Sequence, residues 1–158
     1  RQRVMILRAA DWDANRLRFH TDSRSAKADE LANNAAASAL IYDAGKKIQL
    51  RISGTARVSS GEEADQPWDN STLFARRCYL ADPAPGTATA EPISGLSKDM
   101  EGRQPMAEEV APARPNFAVL LFDIRHIEWL YLANAGHRRA CFSWDEAAAS
   151  WQSRWLVP

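Results

Sequence analysis

Cysteine is scarce in this chain of 158 residues: only Cys78 and Cys141 carry a thiol. They lack the C-x-x-C spacing of a zinc or dithiol redox site. The simplest reading is two buried or half-buried thiols in a reducing cytosol. Histidine is nearly as rare. None of His20, His126 and His137 stands at metal-ligand spacing from another. Charge of one sign is missing too, since 20 basic residues offset 20 acidic ones. That balance argues against a dedicated nucleic-acid or membrane-surface binder, yet it leaves room for a local basic pocket around one phosphate. No apolar run approaches the roughly 18 residues of a membrane span. No Ser/His/Asp or Cys/His pattern, phosphate-cradling glycine loop or paired carboxylates stand out, which removes the footing for hydrolase and kinase readings. The start, Arg1-Gln2-Arg3-Val4, is no signal peptide and has no initiator Met. It reads as a first strand already under way, with an N-terminal piece expected before it.

What remains is an ordinary globular composition, 46% hydrophobic and 25% charged, which suits one domain spanning residues 1–158. Val4-Met5-Ile6-Leu7 within Arg3 to Ala9 predicts a short strand buried on both faces. Asp11 to Asn15 is a polar turn, and Arg16 to Thr21 returns as the second strand of a hairpin. Ala26 to Asn34 reads as a helix behind the cap-forming run Asp22-Ser23-Arg24-Ser25. Ala37 to Tyr42 is apolar, and Lys47 to Ser59 has the clearest period of two. Leu50, Ile52, Ala56 and Val58 face one side there, and Gly54 interrupts the row as at a bend or a close backbone approach. Glu62 to Leu80 accommodates one or two helices. Asp82 to Pro115 reads as a long loop with a short helix near Ser94 to Met100. Strands follow over Asn116 to Arg125, His126 to Ala133, Arg138 to Trp144 and Ser150 to Val157, with a turn at Asn134-Ala135-Gly136-His137. No β-α-β alternation recurs. The order predicts a mainly β (α+β) fold: a small barrel of six to eight mostly antiparallel strands with a few flanking helices.

Four constellations carry candidate chemistry. Thr21-Asp22-Ser23-Arg24-Ser25-Ala26-Lys27 packs hydroxyls, two cations and a helix start into seven residues. That suits an anion, because helix-start N–H groups and the dipole favour negative charge. It equally suits a plain capped helix. Arg3 and Arg8 bracket the first strand, either as strand-end charges or, for Arg3, as a third cation on the same phosphate. Gln49 can donate and accept at once, as the edge of a flavin or other heterocycle requires, or it is a solvated strand residue. Gly136-His137-Arg138-Arg139 is a basic turn, facing an anion or simply water. The six tryptophans read as core and hairpin packing, with a dimer contact open for Trp151 and Trp155.

Taken together, five stretches resemble the pyridoxamine 5′-phosphate oxidase-like family of FMN-binding split barrels. They are Arg3-Val4-Met5-Ile6-Leu7-Arg8, Phe19-His20-Thr21-Asp22-Ser23-Arg24-Ser25-Ala26-Lys27, Gln49-Leu50-Arg51-Ile52-Ser53-Gly54-Thr55-Ala56, Ile127-Glu128-Trp129-Leu130 and Arg154-Trp155-Leu156-Val157-Pro158. The resemblance implies that Arg3, Ser25 and Lys27 bind the FMN phosphate. It lays Thr21 and the backbone around Ile6 and Leu7 along the isoalloxazine, with Val4, His20 and Arg24 also at the cofactor. Arg8 stands where the family commonly has a Lys near the ring and the substrate phosphate, and Gln49 would reach the flavin from a partner subunit. The implied assembly is a cytoplasmic homodimer with FMN at its interface. The pattern departs from the true oxidase where Leu130 replaces a family Trp. It departs again in His137-Arg138-Arg139-Ala140-Cys141, where Arg138 matches the first substrate Arg but a later His and Arg are missing. The Tyr/Arg/Ser set expected between Glu62 and Tyr79 is not recognisable either. The expected function is therefore an FMN-dependent oxidoreductase with an unidentified substrate. The alternatives are a non-catalytic flavin- or haem-binding module with His20 or His126 as haem ligand, and a genuine pyridoxamine 5′-phosphate oxidase with a diverged pocket.

Overall fold

A computed structural model describes all residues, 1–158. Seven strands form one sheet: β1 (Leu7–Asp11), β2 (Arg16–Asp22), β3 (Ala36–Asp43), β4 (Ile48–Ser59), β5 (Phe117–Tyr131), β6 (Arg138–Asp145) and β7 (Ser150–Leu156). Its order is β1-β2-β5-β4-β3, with β6 joined to β5 and β7 to β6. The registers of β3 on β4, β5 on β6 and β6 on β7 are antiparallel. Four short helices accompany the sheet: α1 (Ala26–Asn33), α2 (Asp65–Asp69), α3 (Leu73–Arg77) and α4 (Ala107–Val110). This is the mainly β split-barrel class anticipated from the strand pattern. No helix is long and apolar enough to cross a membrane.

The chain divides into two compact units, built from Arg1–Ala9, Arg18–Asn34 and Arg57–Leu121, and from Ala10–Leu17, Ala35–Ala56 and Phe122–Pro158. In the first, Ala64, Trp68, Ala113, Phe117, Val119 and Leu121 form the core, with Tyr79 and Leu80 packed on it. Aromatic contacts organise that core: the Trp68 ring lies tilted against Phe117 at 5.4 Å and the Tyr79 ring edge-on to it at 5.0 Å. Arg77 is buried beneath the long excursion and donates to the carbonyls of Met100 and Arg103 at 2.7 and 2.8 Å.

Hairpins dominate the second unit, and three share one turn device. Asp11, Asp43 and Asp145 end their strands, and each Oδ1 accepts from backbone N–H groups two or three residues on. The fourth residue after each aspartate, Asn15, Lys47 or Ala149, adopts a left-handed φ of 51°, 54° or 46°. An aspartate side chain thus replaces the backbone acceptor that starts the turn. Gly54 of β4 makes the close approach its position in the periodic row suggested: a Cβ there would stand 2.0 Å from the Asp123 carbonyl oxygen.

The structure corrects several expectations. The first strand begins at Leu7 rather than Arg3, and residues 1–6 are irregular. Far from buried on both faces, Val4 is 99% exposed and Ile6 66%. An apolar run reports only that a covering surface suits it, and no other part of this chain supplies one. The two strands expected over Asn116 to Ala133 are one continuous β5. Within the long loop, Ser94 to Met100 forms turns, and the short helix lies at α4 instead. Cys78 is exposed, whereas Cys141 is buried as expected.

Candidate functional site

The strongest cluster lies where β2 ends and α1 begins, within the first unit. Strand alternation points Leu17, Phe19 and Thr21 to one face of β2 and Arg18, His20 and Asp22 to the other. Ser25 sits at the N-cap of α1, but its hydroxyl does not cap the helix. It donates instead to the Asp22 carbonyl at 2.6 Å. Lys27 folds back over this turn. Its Nζ donates to Thr21 Oγ1 and to Ser25 Oγ, both at 2.8 Å. Thr21 and Ser25 are buried, so their hydroxyls form a fixed polar floor beneath the ammonium.

Arg3 closes the cluster from the irregular N-terminal segment. Its guanidinium donates to Glu30 of α1, and Arg1 reaches the same carboxylate at 3.7 Å. The Lys27 ammonium is pushed below its ordinary pKa by burial and then by the like charge of Arg3, with Asp22 and Glu30 opposing. Burial raises the Glu30 carboxyl, but the hydrogen bond and charge of Arg3 outweigh it and hold the group below the usual range. Three cations therefore share one carboxylate here, and two hydroxyls complete a cradle with a net positive charge. That donor set fits a phosphomonoester; Glu30 is the one group that competes for Arg3.

The remaining candidates are placed as follows. Arg24 is not part of the cradle. It clasps Asp22 through Nε at 3.0 Å and Nη2 at 2.7 Å, and donates to the Ala81 carbonyl at 3.0 Å. It ties the turn to the start of the long excursion. Val4, Ile6 and Leu7 present exposed apolar side chains beside the cradle's N-terminal arm. Arg8 on β1 and His20 on the opposite face of β2 from Thr21 lie near each other: burial first, then the charges of Arg8 and Arg18, lower the His20 pKa to about 4.

In the second unit, Gln49 stands half-buried on β4 opposite Tyr42. Arg138 turns back onto the carbonyls of Gly136 and His137 at 3.1 and 2.8 Å. Its neighbour Arg139, from the same basic turn, pairs with Glu128 at 2.6 Å, and Arg51 donates to the same carboxylate. Those two hydrogen bonds outweigh burial and hold Glu128 below the ordinary carboxyl range, Arg139 contributing most. A cavity of about 120 Å³ opens on β6 and β7 beside Cys141, Ser143 and Arg154. No group of His, Cys, Asp or Glu is arranged to hold a metal. Sequence reasoning also missed Glu30 and Arg18. Glu30 carried a faint signal, three residues beyond Lys27 on the same helix face.

Comparison with known proteins bears on the same N-terminal region. Residues 1–60 match the model of the family described as pyridoxamine 5′-phosphate oxidase, FMN-binding domain. A curated relative, the pyridoxine/pyridoxamine 5′-phosphate oxidase of Gloeothece citriformis, is 26% identical over 98% of this chain and 69% of its own. A pyridoxamine 5′-phosphate oxidase-related, FMN-binding protein of Nostoc punctiforme superposes with a TM-score of 0.77. It is 27% identical, covering 99% of this chain and 80% of that one. PhzG from Burkholderia lata, solved in complex with tetrahydrophenazine-1-carboxylic acid, shares the fold with a TM-score of 0.68. Its identity is 19%, over 99% of this chain and 74% of its own. The chain thus resembles the pyridoxamine 5′-phosphate oxidase-like split barrels in fold, and FMN is the cofactor that the family matching its N-terminal 60 residues indicates.

Proposed function

We propose that this chain is an FMN-dependent oxidoreductase that works as a cytoplasmic homodimer on a small molecule not yet identified. The observation that carries the reading is the cradle of Lys27, Thr21 and Ser25 with Arg3 beside it. Arg3, Ser25 and Lys27 hold the FMN phosphate, with Thr21 fixing the ammonium. Val4, Ile6 and Leu7 offer an apolar edge to the isoalloxazine, with Arg8 and His20 beyond it. Arg24 serves the site indirectly, by fixing the turn through Asp22. Gln49 and Arg138 act from the partner subunit, Gln49 at the flavin edge and Arg138 toward substrate.

FMN supplies the hydride or electron chemistry in such a site. The protein's own work is to neutralise the phosphate, exclude water from one face of the ring and orient the reactant. The exposure of Val4 at 99% supports a dimer, because burying an apolar run requires a second surface. The curated relative from Gloeothece citriformis is named as an oxidase of vitamin B6 phosphates. Leu130 and the run His137-Arg138-Arg139-Ala140-Cys141 are where this chain departs from the oxidase pattern, so that substrate is left to assay.

The test is the visible spectrum and native mass of the purified protein. A yellow dimer with one FMN per chain is expected. Colourless protein that takes up no added FMN defeats the assignment.

A further inference from the structure

The turn that carries the phosphate cradle also holds both ends of the long excursion, Asp82 to Pro115, within the same compact unit. Where the excursion leaves, Arg24 Nη2 donates to the Ala81 carbonyl at 3.0 Å. Where it returns, the Ser23 N–H donates to the Asn116 carbonyl at 2.8 Å and the Ser23 hydroxyl to the Pro115 carbonyl at 3.3 Å. Asn116 Nδ2 closes the ring by donating to the Tyr79 carbonyl at 2.8 Å. The same turn builds the cradle. The Asp22 carbonyl accepts from the Ser25 hydroxyl at 2.6 Å, and that hydroxyl accepts from Lys27 at 2.8 Å. Arg24 joins the two halves. It clasps buried Asp22 on one side and feels the charge of Asp82 on the other.

The excursion itself is lightly held. From Asp82 to Gln104 no residue is buried, so no apolar core pins this stretch. Its contacts are hydrogen bonds: Arg77 to the carbonyls of Met100 and Arg103 at 2.7 and 2.8 Å, and the Asp82 N–H to the Gly95 carbonyl at 2.8 Å. A Cβ on Gly95 would stand 3.1 Å from that of Ala81, so the middle of the excursion packs on the residue whose carbonyl Arg24 holds. A segment docked by a few hydrogen bonds opens at a small fraction of the global stability. Any ligand that steadies the turn beneath it therefore shifts its population.

We infer that the excursion is a flap latched to the phosphate-binding turn, and that a phosphate in the cradle and the docked flap stabilise each other. The inference rests on the FMN reading for the identity of the phosphate, and it adds a part of the chain that answers to the cofactor. A bound phosphate draws on Ser25 and Lys27, and so favours the turn conformation that keeps Asp22, Ser23 and Arg24 in place. That conformation is the one that presents Ser23 and Arg24 to the flap. Two events that need one turn are coupled, and the coupling is reciprocal. The factor by which phosphate steadies the flap is the factor by which the flap tightens phosphate. Riboflavin, with the ring but no phosphate, leaves the latch alone.

Hydrogen exchange at the backbone amides of Asp82, Met100 and Glu101 reads the flap, because each is hydrogen-bonded within it. It is measured on flavin-free protein and with saturating FMN, riboflavin or inorganic phosphate. FMN should slow exchange at these amides by about fivefold or more. Inorganic phosphate should act in the same direction, and riboflavin should leave exchange unchanged. R24Q removes the latch: exchange should quicken and lose its response to FMN, while FMN affinity falls by about tenfold and riboflavin affinity holds. R24K should recover part of the response. Equal exchange with and without bound FMN overturns the inference, as does equal slowing by riboflavin or an undiminished FMN response in R24Q. Should R24Q not fold, the parent protein decides through FMN against riboflavin. Protein that takes up no flavin defeats the FMN reading instead, and inorganic phosphate then tests the latch: slowed exchange upholds it and unchanged exchange overturns it.

Discussion

Replacing Lys27 by Met isolates the charge that the cradle directs at a phosphate. The substitution keeps the length of the side chain but removes the ammonium that Thr21 and Ser25 hold at 2.8 Å. The local fold should survive, since Ser25 keeps its bond to the Asp22 carbonyl at 2.6 Å. A charge-assisted hydrogen bond contributes roughly 1.5–3 kcal/mol, which is about a 10- to 150-fold change in Kd. The upper part of that range is expected, because Lys27 is partly withdrawn from water and already strained by the charge of Arg3. The assay is quenching of flavin fluorescence on titrating apoprotein, run in parallel with FMN and riboflavin. Riboflavin lacks the phosphate, so its affinity should change little in K27M while that of FMN falls. If both flavins weaken equally, Lys27 acts on the ring or on the fold. If neither weakens, the phosphate is held elsewhere and the reasoning fails.

Other outcomes follow from the same structure. Gly54→Ala places a Cβ 2.0 Å from the Asp123 carbonyl oxygen, so denaturant unfolding should show a loss of about 2–4 kcal/mol, in the range of overpacked or strained sites. Ala149→Gly relieves a left-handed φ of 46° in the β6–β7 turn and should raise stability by up to about 1 kcal/mol by the same measurement; an unchanged midpoint would show the turn to be unstrained. The His20 pKa is lowered from 6.5 to about 4 by burial, then by Arg8 and Arg18. Between those values the unfolded chain binds the extra proton, so this residue costs stability as pH falls through that window. His20→Gln should flatten that part of the pH–stability curve, and an identical slope would assign the effect to other groups. Arg77→Ala removes the bonds to Met100 and Arg103, and limited proteolysis should then cut first between residues 97 and 105, with the parent protein resistant there.

Much of the fold was legible because hairpins are local. Asp11, Asp43 and Asp145 announce turns through side-chain chemistry that acts within four residues, and the period of two in β4 reports its buried face directly. The cluster of Lys27 with two hydroxyls was legible for the same reason, since Thr21, Ser25 and Lys27 lie within one turn of chain. Only tertiary structure could decide the charge pairings. Arg24 and Lys27 look alike in sequence, yet one is spent on Asp22 and Ala81 while the other stays with the hydroxyls. Arg18 gave no signal and Arg139 showed only as part of a basic turn, because whether a cation has a partner depends on residues far along the chain. The exposure of Val4 and Ile6 was equally invisible: hydrophobicity is a property of the residue, but burial belongs to the surface that meets it.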